Sequence, residues 1–185
     1  MTVLIAVNQK DKIILGADSC TFRGYNKINL NNHKGRSKIE QINDITFCST
    51  GLVAETNNFL LYCSTRKPES NSLISIQRFF NEFGRYLTEM VKKELQIEND
   101  YFLVYKERLF CYNYGAVNEI LIDDYVTLGA GWLEAYTALY LGKTAKEAIQ
   151  VSIDLNVYVG GDPQVLEIAK TTFNKIDGSK DGLTH

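Results

Sequence analysis

Apolar positions fall into short bursts early in the chain and into longer, wider-spaced stripes later. Val3 to Val7 and Ile13 to Ala17 are rich in Val and Ile and flank the polar run Gln9-Lys10-Asp11-Lys12, which predicts a β-hairpin. Lys38 to Ile42 and Ile45 to Ser49 predict a second hairpin, with its tight turn at Asn43-Asp44. Between them, Arg23 to Ser37 is polar and breaks the pattern, so it reads as a long exposed loop of the kind that often carries function.

From Leu52 the period changes. Val53, Phe59, Leu60 and Cys63 fall near helical spacing, with Pro68 marking the break after them. Ser72 to Leu95 is the longest helical pattern, carrying Leu73, Ile76, Phe79, Phe80, Phe83, Leu87 and Met90 on one broad core-facing stripe. Tyr101 to Tyr105 and Leu109 to Tyr112 predict a third hairpin around Lys106-Glu107-Arg108, and Ala116 to Ile122 and Tyr125 to Leu128 predict further strands. A helix over Trp132 to Leu141 follows Gly129-Ala130-Gly131. Thr144-Ala145-Lys146-Glu147 has the form of a capping box and opens another helix to about Leu155. Gln164 to Ala169 reads as a last strand. Strands, two helices, strands and two helices in that order argue against a parallel βαβ sheet. They predict an α+β fold in which two antiparallel sheets stack face to face and each is covered by a helix pair, a four-layer αββα sandwich.

Length and composition confine this to a single domain over residues 1–172 with a polar, glycine-rich tail at 173–185. The chain has 185 residues, 45% of them hydrophobic and 23% charged, enough for one well-buried core and too few for two. A formal charge of −2 gives no overall attraction to nucleic acid or to an anionic membrane. Met1 to Asn8 lacks the basic segment and cleavage site of a secretory signal, so a soluble, cytoplasmic protein is expected. Cys20, Cys48, Cys63 and Cys111 show no C-x-x-C spacing and read as reduced thiols packed as small hydrophobes. His33 has no second ligand at metal spacing, and no metal site is expected.

The candidate chemistry begins at Thr2. Removal of Met1 would leave a threonine carrying both a hydroxyl and a free α-amine, whose reference pKa of about 7.7 to 8.0 makes it a usable base near neutral pH. A lysine cation close by would lower that pKa, and a carboxylate would orient the lysine. Lys38 and Asp18 are the candidates for those roles. Acyl transfer also needs a donor for the developing oxyanion, and Gly51, between a strand and a helix, would let a backbone N–H approach a substrate closely.

In order and approximate spacing, four segments resemble the proteasome β-type/HslV family: Thr2 itself, Gly16-Ala17-Asp18-Ser19, Ser37-Lys38-Ile39-Glu40-Gln41-Ile42-Asn43-Asp44 and Ser49-Thr50-Gly51-Leu52-Val53-Ala54-Glu55. Leu128-Gly129-Ala130-Gly131, Thr144-Ala145-Lys146-Glu147-Ala148 and Asp154-Leu155-Asn156-Val157-Tyr158-Val159-Gly160-Gly161 extend the likeness to about Ile168; from Pro68 to Asp100 only predicted helicity matches. The resemblance implies the Ntn-hydrolase sandwich and a threonine endopeptidase: Thr2 as nucleophile and base, Lys38 as electrostatic tuner, Asp18 as its partner, the Gly51 N–H as oxyanion donor. An extended peptide would add as a strand near Thr21 on one side and Ser49 on the other, with Ser49 and Val53 lining the pocket for the residue before the cut.

The resemblance further implies a homo-oligomeric ring or stacked double ring, an AAA+ unfoldase ATPase as partner and unfolded protein or peptide as substrate. No cofactor is required for peptide hydrolysis, with room for a structural monovalent or divalent cation. The sequence departs from the family where Ala130 replaces a serine, where Asn156 replaces the aspartate of proteasome subunits, and where Thr21 lies one residue nearer the aspartate than the family threonine. Two other readings stay open on the residues: an inactive ring-forming scaffold of the same fold, and an Ntn amidase acting on small molecules.

Overall fold

The structure, a computed structural model, describes residues 2–23, 26–30, 37–92 and 96–171. In chain order its elements are β1 (Val3–Asn8), β2 (Lys12–Asp18), β3 (Cys20–Arg23), β4 (Asn26–Asn29), β5 (Ile39–Ile42), β6 (Ile45–Thr50), α1 (Val53–Thr65), α2 (Leu73–Val91), β7 (Asp100–Tyr105), β8 (Arg108–Asn113), β9 (Ala116–Glu119), β10 (Tyr125–Gly129), α3 (Trp132–Tyr140), α4 (Ala145–Leu155) and β11 (Pro163–Ala169). A four-stranded sheet runs β10-β1-β2-β11 and a five-stranded sheet β5-β6-β7-β8-β9, while β3 and β4 pair with each other. Every pairing is antiparallel.

Side chains alternate across each strand, and both faces of both sheets are covered, which is why β1, β2 and β7 read as apolar runs rather than as alternation. Leu4, Ala6, Leu15 and Ala17 point to the space between the sheets and meet Cys48, Phe102, Val104, Leu109 and Cys111 of the other sheet. Their neighbours Val3, Ile5 and Ile14 point outward to α3 and α4. On the far side Phe47, Tyr101, Leu103 and Phe110 point outward to α1 and α2. These alternations produce the predicted αββα sandwich, with three apolar interlayers between its four layers of structure.

The two outer interlayers are filled differently. Under α1 and α2 lie Phe47, Phe59, Tyr62, Phe79, Phe80, Phe83, Tyr101 and Tyr112, with Phe59 within 4.8 Å, centroid to centroid, of Phe47, Phe83 and Tyr101. On the other side α3 and α4 present Ala135, Ala138, Ala145, Ala148 and Ile149 to Val3, Ile5 and Ile14 of the sheet. There the packing is close enough that a Cβ on Gly16 would stand 2.7 Å from Ile149 Cδ1, and one on Gly131 would stand 2.8 Å from Val159 Cγ2.

Turn and cap chemistry follows the sequence. Asn43 takes φ 53° at the β5–β6 turn and Lys106 and Glu107 take φ 46° and 63° at the β7–β8 turn, the positive-φ geometry that closes tight hairpins. The capping box at Thr144 and Glu147 is formed. Ser72 caps α2 by accepting from Ser75 N–H at 3.3 Å. α2 ends at Val91 because Lys92 turns left-handed at φ 53°; residues 93–95 of the expected helix lie outside the described residues.

Two expectations change. The polar stretch expected to be a loop contains β4, which pairs with β3 through Thr21↔Ile28 and Phe22↔Lys27. Asn26 and Lys27 are exposed, so the strand carries no apolar alternation to betray it. Residues 24, 25 and 31–36, His33 among them, lie outside the described residues, as do Met1 and the tail from 172 onward. β9 ends at Glu119 rather than Ile122, since Leu121 and Ile122 are exposed and Asp123 turns with φ 68° to donate its N–H to Asn8 O. All four cysteines are buried free thiols, and burial pushes Cys63 and Cys111 up to about 12. Among the described residues no helix is long and apolar enough to cross a membrane.

Candidate active site

Thr2 stands just before β1, at the edge where β1 lies between β2 and β10. It is 6% exposed. Its carbonyl accepts from Gly131 N–H at 3.3 Å. Gly129, φ 86°, makes that approach feasible, because a Cβ there would stand 2.3 Å from Thr2 O. The Gly129-Ala130-Gly131 segment is itself held from behind: Ser152 Oγ donates to Gly131 O at 2.9 Å and Asn156 Nδ2 donates to Ala130 O at 2.9 Å. Asn156 Nδ2 also donates to Glu134 Oε1 at 3.0 Å, so the residue in place of the family aspartate works as a brace between α4 and α3.

Asp18 closes β2 and is fully buried. Its Oδ1 accepts from the Val3 N–H at 3.0 Å and from Lys38 Nζ at 2.7 Å. Its Oδ2 accepts from the Gly160 N–H at 3.2 Å and the Cys20 N–H at 3.3 Å. One carboxylate thus ties the residue after Thr2, the loop before β11 and the start of β3 to the lysine. Lys38 precedes β5, and its side chain is 10% exposed. Nζ donates to Thr2 Oγ1 as well as to Asp18. Burial lowers the Lys38 pKa from its ordinary value, opposed by the charge and hydrogen bond of Asp18. The Lys38 backbone is anchored by its N–H to Gln164 Oε1 at 3.1 Å.

Gly51 follows β6 with φ 131°. Strand alternation turns Thr50 toward the other sheet, where its Oγ1 lies 3.3 Å from the position of a Cβ on Gly129, the same position that Thr2 O crowds. The end of β6 therefore adjoins Thr2. Ser49, one residue earlier, faces the helices, is buried, and shares a 2.7 Å hydrogen bond with Thr56 Oγ1. Val53 is 56% exposed at the start of α1. Thr21 lies half-buried on β3, the strand that begins two residues after Asp18.

Of the residues singled out in sequence, Lys38 is bonded to both Thr2 and Asp18, and Gly51 follows Thr50, which adjoins Thr2 at Gly129; Thr21, Ser49 and Val53 stand on β3, β6 and α1 with no direct bond to Thr2, Asp18 or Lys38 among the described residues. Sequence reasoning missed Gln164, the Gly160 N–H, Asn99 and Glu55. Glu55 had a signal, an acid in the first turn of α1, within a segment that already carried the resemblance; Asn99 sits in a Glu-Asn-Asp run that reads as loop. Among the described residues no group of three or more His, Cys, Asp or Glu could hold a metal ion. Chemically, the site places an ammonium against a threonine hydroxyl and fixes that ammonium with a buried carboxylate, a setting that stabilises negative charge on the hydroxyl oxygen.

No family model and no curated protein matches the sequence. Solved structures do match. Thiobacillus denitrificans BPH in complex with epoxomicin superposes with a TM-score of 0.79 at 17% identity, covering 90% of this chain and 98% of that one. Eukaryotic HslV from Trypanosoma brucei gives a TM-score of 0.63 at 18% identity over 90% and 99% of the two chains. The Anbu complex of Pseudomonas aeruginosa, solved as a helical assembly, gives 0.67 at 13% identity over 90% and 81%. With its layers, its sheet order and these matches, the chain has the proteasome-like Ntn-hydrolase fold shared by HslV, BPH and Anbu.

Proposed function

We propose that the chain is a proteasome β-type/HslV-like subunit and acts as a threonine endopeptidase once Met1 is removed. The observation that carries this reading is the donation of Lys38 Nζ to Thr2 Oγ1 within the buried Lys38–Asp18 pair. The freed α-amine takes the hydroxyl proton, and Thr2 Oγ1 attacks the peptide carbonyl. The oxyanion forms beside the Gly51 N–H. The amine then passes its proton to the departing nitrogen, the C–N bond breaks, and an ester remains on Thr2. Water, activated by the same amine, hydrolyses the ester. Substrate lies extended between β3 and the Gly51 segment, near Thr21, Ser49 and Val53.

A homo-oligomeric assembly in the cytoplasm, fed by an AAA+ unfoldase, completes the proposal. Its support is the match to an Anbu helical assembly and an exposed, uncharged apolar face on α3 made by Trp132, Leu133, Tyr136 and Tyr140. A second reading, an inactive scaffold of the same fold, is favoured by Ala130, which puts a methyl group where the family has a hydroxyl.

Intact-mass measurement separates the two. Purified chain is measured with and without epoxomicin, the compound bound to BPH, and again as Thr2→Ala. Peptidase chemistry requires loss of Met1 and a one-adduct mass gain that Thr2→Ala abolishes. Retention of Met1 with no adduct on wild type establishes the scaffold instead.

A further inference from the structure

A second buried polar cluster lies behind Gly51, on the side away from Thr2. Asn99, 1% exposed, immediately precedes β7. Its side-chain amide bonds to both backbone groups of Leu52: Oδ1 accepts from the Leu52 N–H at 2.5 Å and Nδ2 donates to Leu52 O at 2.9 Å, an oxygen that also accepts from the Thr56 N–H at 3.1 Å. Nδ2 also donates to Thr56 Oγ1 at 3.1 Å in the first turn of α1. The β6–β7 ladder ends at Thr50↔Asp100, so Gly51 and Asn99 are the next pair along. There the backbone ladder stops and a side chain takes over its work.

Asn99 is in turn fixed by Glu55, 7% exposed. The two carboxylate oxygens accept from the Glu98 N–H at 2.9 Å and the Asn99 N–H at 3.0 Å, and Oε1 accepts from Tyr101 Oη at 2.8 Å. Burial and the Glu55 charge push the Tyr101 pKa upward, so the phenol stays a donor. Glu55 thus holds the Asn99 backbone, and the Asn99 side chain holds Leu52, the residue after Gly51. The ladder ends at Thr50 on one side of Gly51 and Asn99 holds Leu52 on the other, and between these two anchors Gly51 takes φ 131°. The fit is tight: a Cβ on Gly51 would stand 2.1 Å from Asn99 Oδ1.

We infer that Asn99, braced by Glu55, is a positioning residue for the oxyanion donor: it sets the direction of the Gly51 N–H without touching substrate. The inference rests on the peptidase reading. A donor that is aimed before the reaction costs nothing to reorganise during it, and its value appears only in the transition state.

The test compares wild type with Asn99→Ala and Asn99→Asp on a fluorogenic peptide amide that wild type cleaves, with rates normalised to folded, assembled subunit. Asn99→Asp keeps an acceptor for the Leu52 N–H but loses the donor to Leu52 O and Thr56. Removing one oxyanion donor typically lowers kcat by about 10²-fold or more, so Asn99→Ala is expected to lose about that factor and Asn99→Asp less. KM should stay within about twofold of wild type, because ground-state binding is untouched. A merely structural role would lower the folded fraction and leave kcat per folded subunit in place. A kcat within about threefold of wild type in both variants overturns the inference while the peptidase reading stands. A wild type that cleaves no peptide and takes no epoxomicin adduct sinks both.

Discussion

Replacing Asp18 with asparagine preserves shape and removes a charge, which makes it a clean probe of the Thr2 site. The carboxylate faces four donors, Val3 N–H, Cys20 N–H, Gly160 N–H and Lys38 Nζ, at 2.7 to 3.3 Å. An asparagine offers one oxygen. If it keeps Val3 and Lys38, its amino group confronts the N–H groups of Cys20 and Gly160, and two buried donors lose their partners. Lys38, 10% exposed, is left as a cation without a counter-charge. Breaking a buried pair from one side costs about 3–5 kcal/mol. In a chain of this size each kcal/mol moves Tm by about 2–4 °C, so the variant should melt about 6–20 °C below wild type. The assay is guanidinium and thermal unfolding at fixed protein concentration, followed by far-UV circular dichroism. Lys38→Met in the Asp18→Asn background removes the stranded cation, and the double variant should regain at least about 1 kcal/mol relative to the sum of the single losses. A loss below about 1 kcal/mol for Asp18→Asn, or strict additivity in the cycle, would refute the argument that this pair is buried and mutually dependent.

Three further outcomes are expected. Lys38 is held below the ordinary lysine value of 10.5, so the folded chain releases that proton before the unfolded chain does; its contribution to stability grows as pH rises from the folded value toward 10.5, while loss of the cation removes the partner of Thr2 Oγ1. Peptidase activity should therefore fall on an alkaline limb below pH 10.5 in wild type, and Lys38→Arg should shift that limb upward or abolish activity; an unmoved limb assigns it elsewhere. Phe59→Ala empties the centre of the aromatic layer and should cost about 3–5 kcal/mol in urea unfolding. Ser72→Ala removes the α2 cap and should cost about 1 kcal/mol, with Ser72→Thr restoring most of it.

The fold was legible because its signals are local. β1, β2, β6 and β7 are rich in branched and aromatic residues, α2 carries a continuous apolar stripe, and Thr144 with Glu147 announces α4 directly. β4 was not legible, since Asn26 and Lys27 are polar and largely exposed and its order comes from pairing with β3. The same division runs through the site. Thr2, Asp18, Lys38 and Gly51 could be singled out because each residue type has a distinct chemical use at its position. Gln164, Gly160 and Asn99 act through contacts 126, 142 and 47 residues away in sequence, and nothing local tells an amide or a glycine N–H that serves so distant a partner from one that meets only water.

The unequal filling of the two outer interlayers sets how this chain can change over generations. Beneath α1 and α2, rings touch rings, and one large side chain can be exchanged for another if the total volume is kept. Beneath α3 and α4, alanines and glycines pack against the branched side chains of Val3, Ile5, Ile14, Ile149 and Val159, and at those small positions a larger residue adds atoms where there is no space for them. Tolerance is therefore unequal: the thick side can accept aromatic and aliphatic exchanges, while the alanine and glycine positions of the thin side cannot accept larger residues. Gly16, Gly131, Ala145 and Ala148 belong to the thin side, where an added methyl group would stand 2.7 Å from Ile149 Cδ1 at Gly16 and 2.8 Å from Val159 Cγ2 at Gly131.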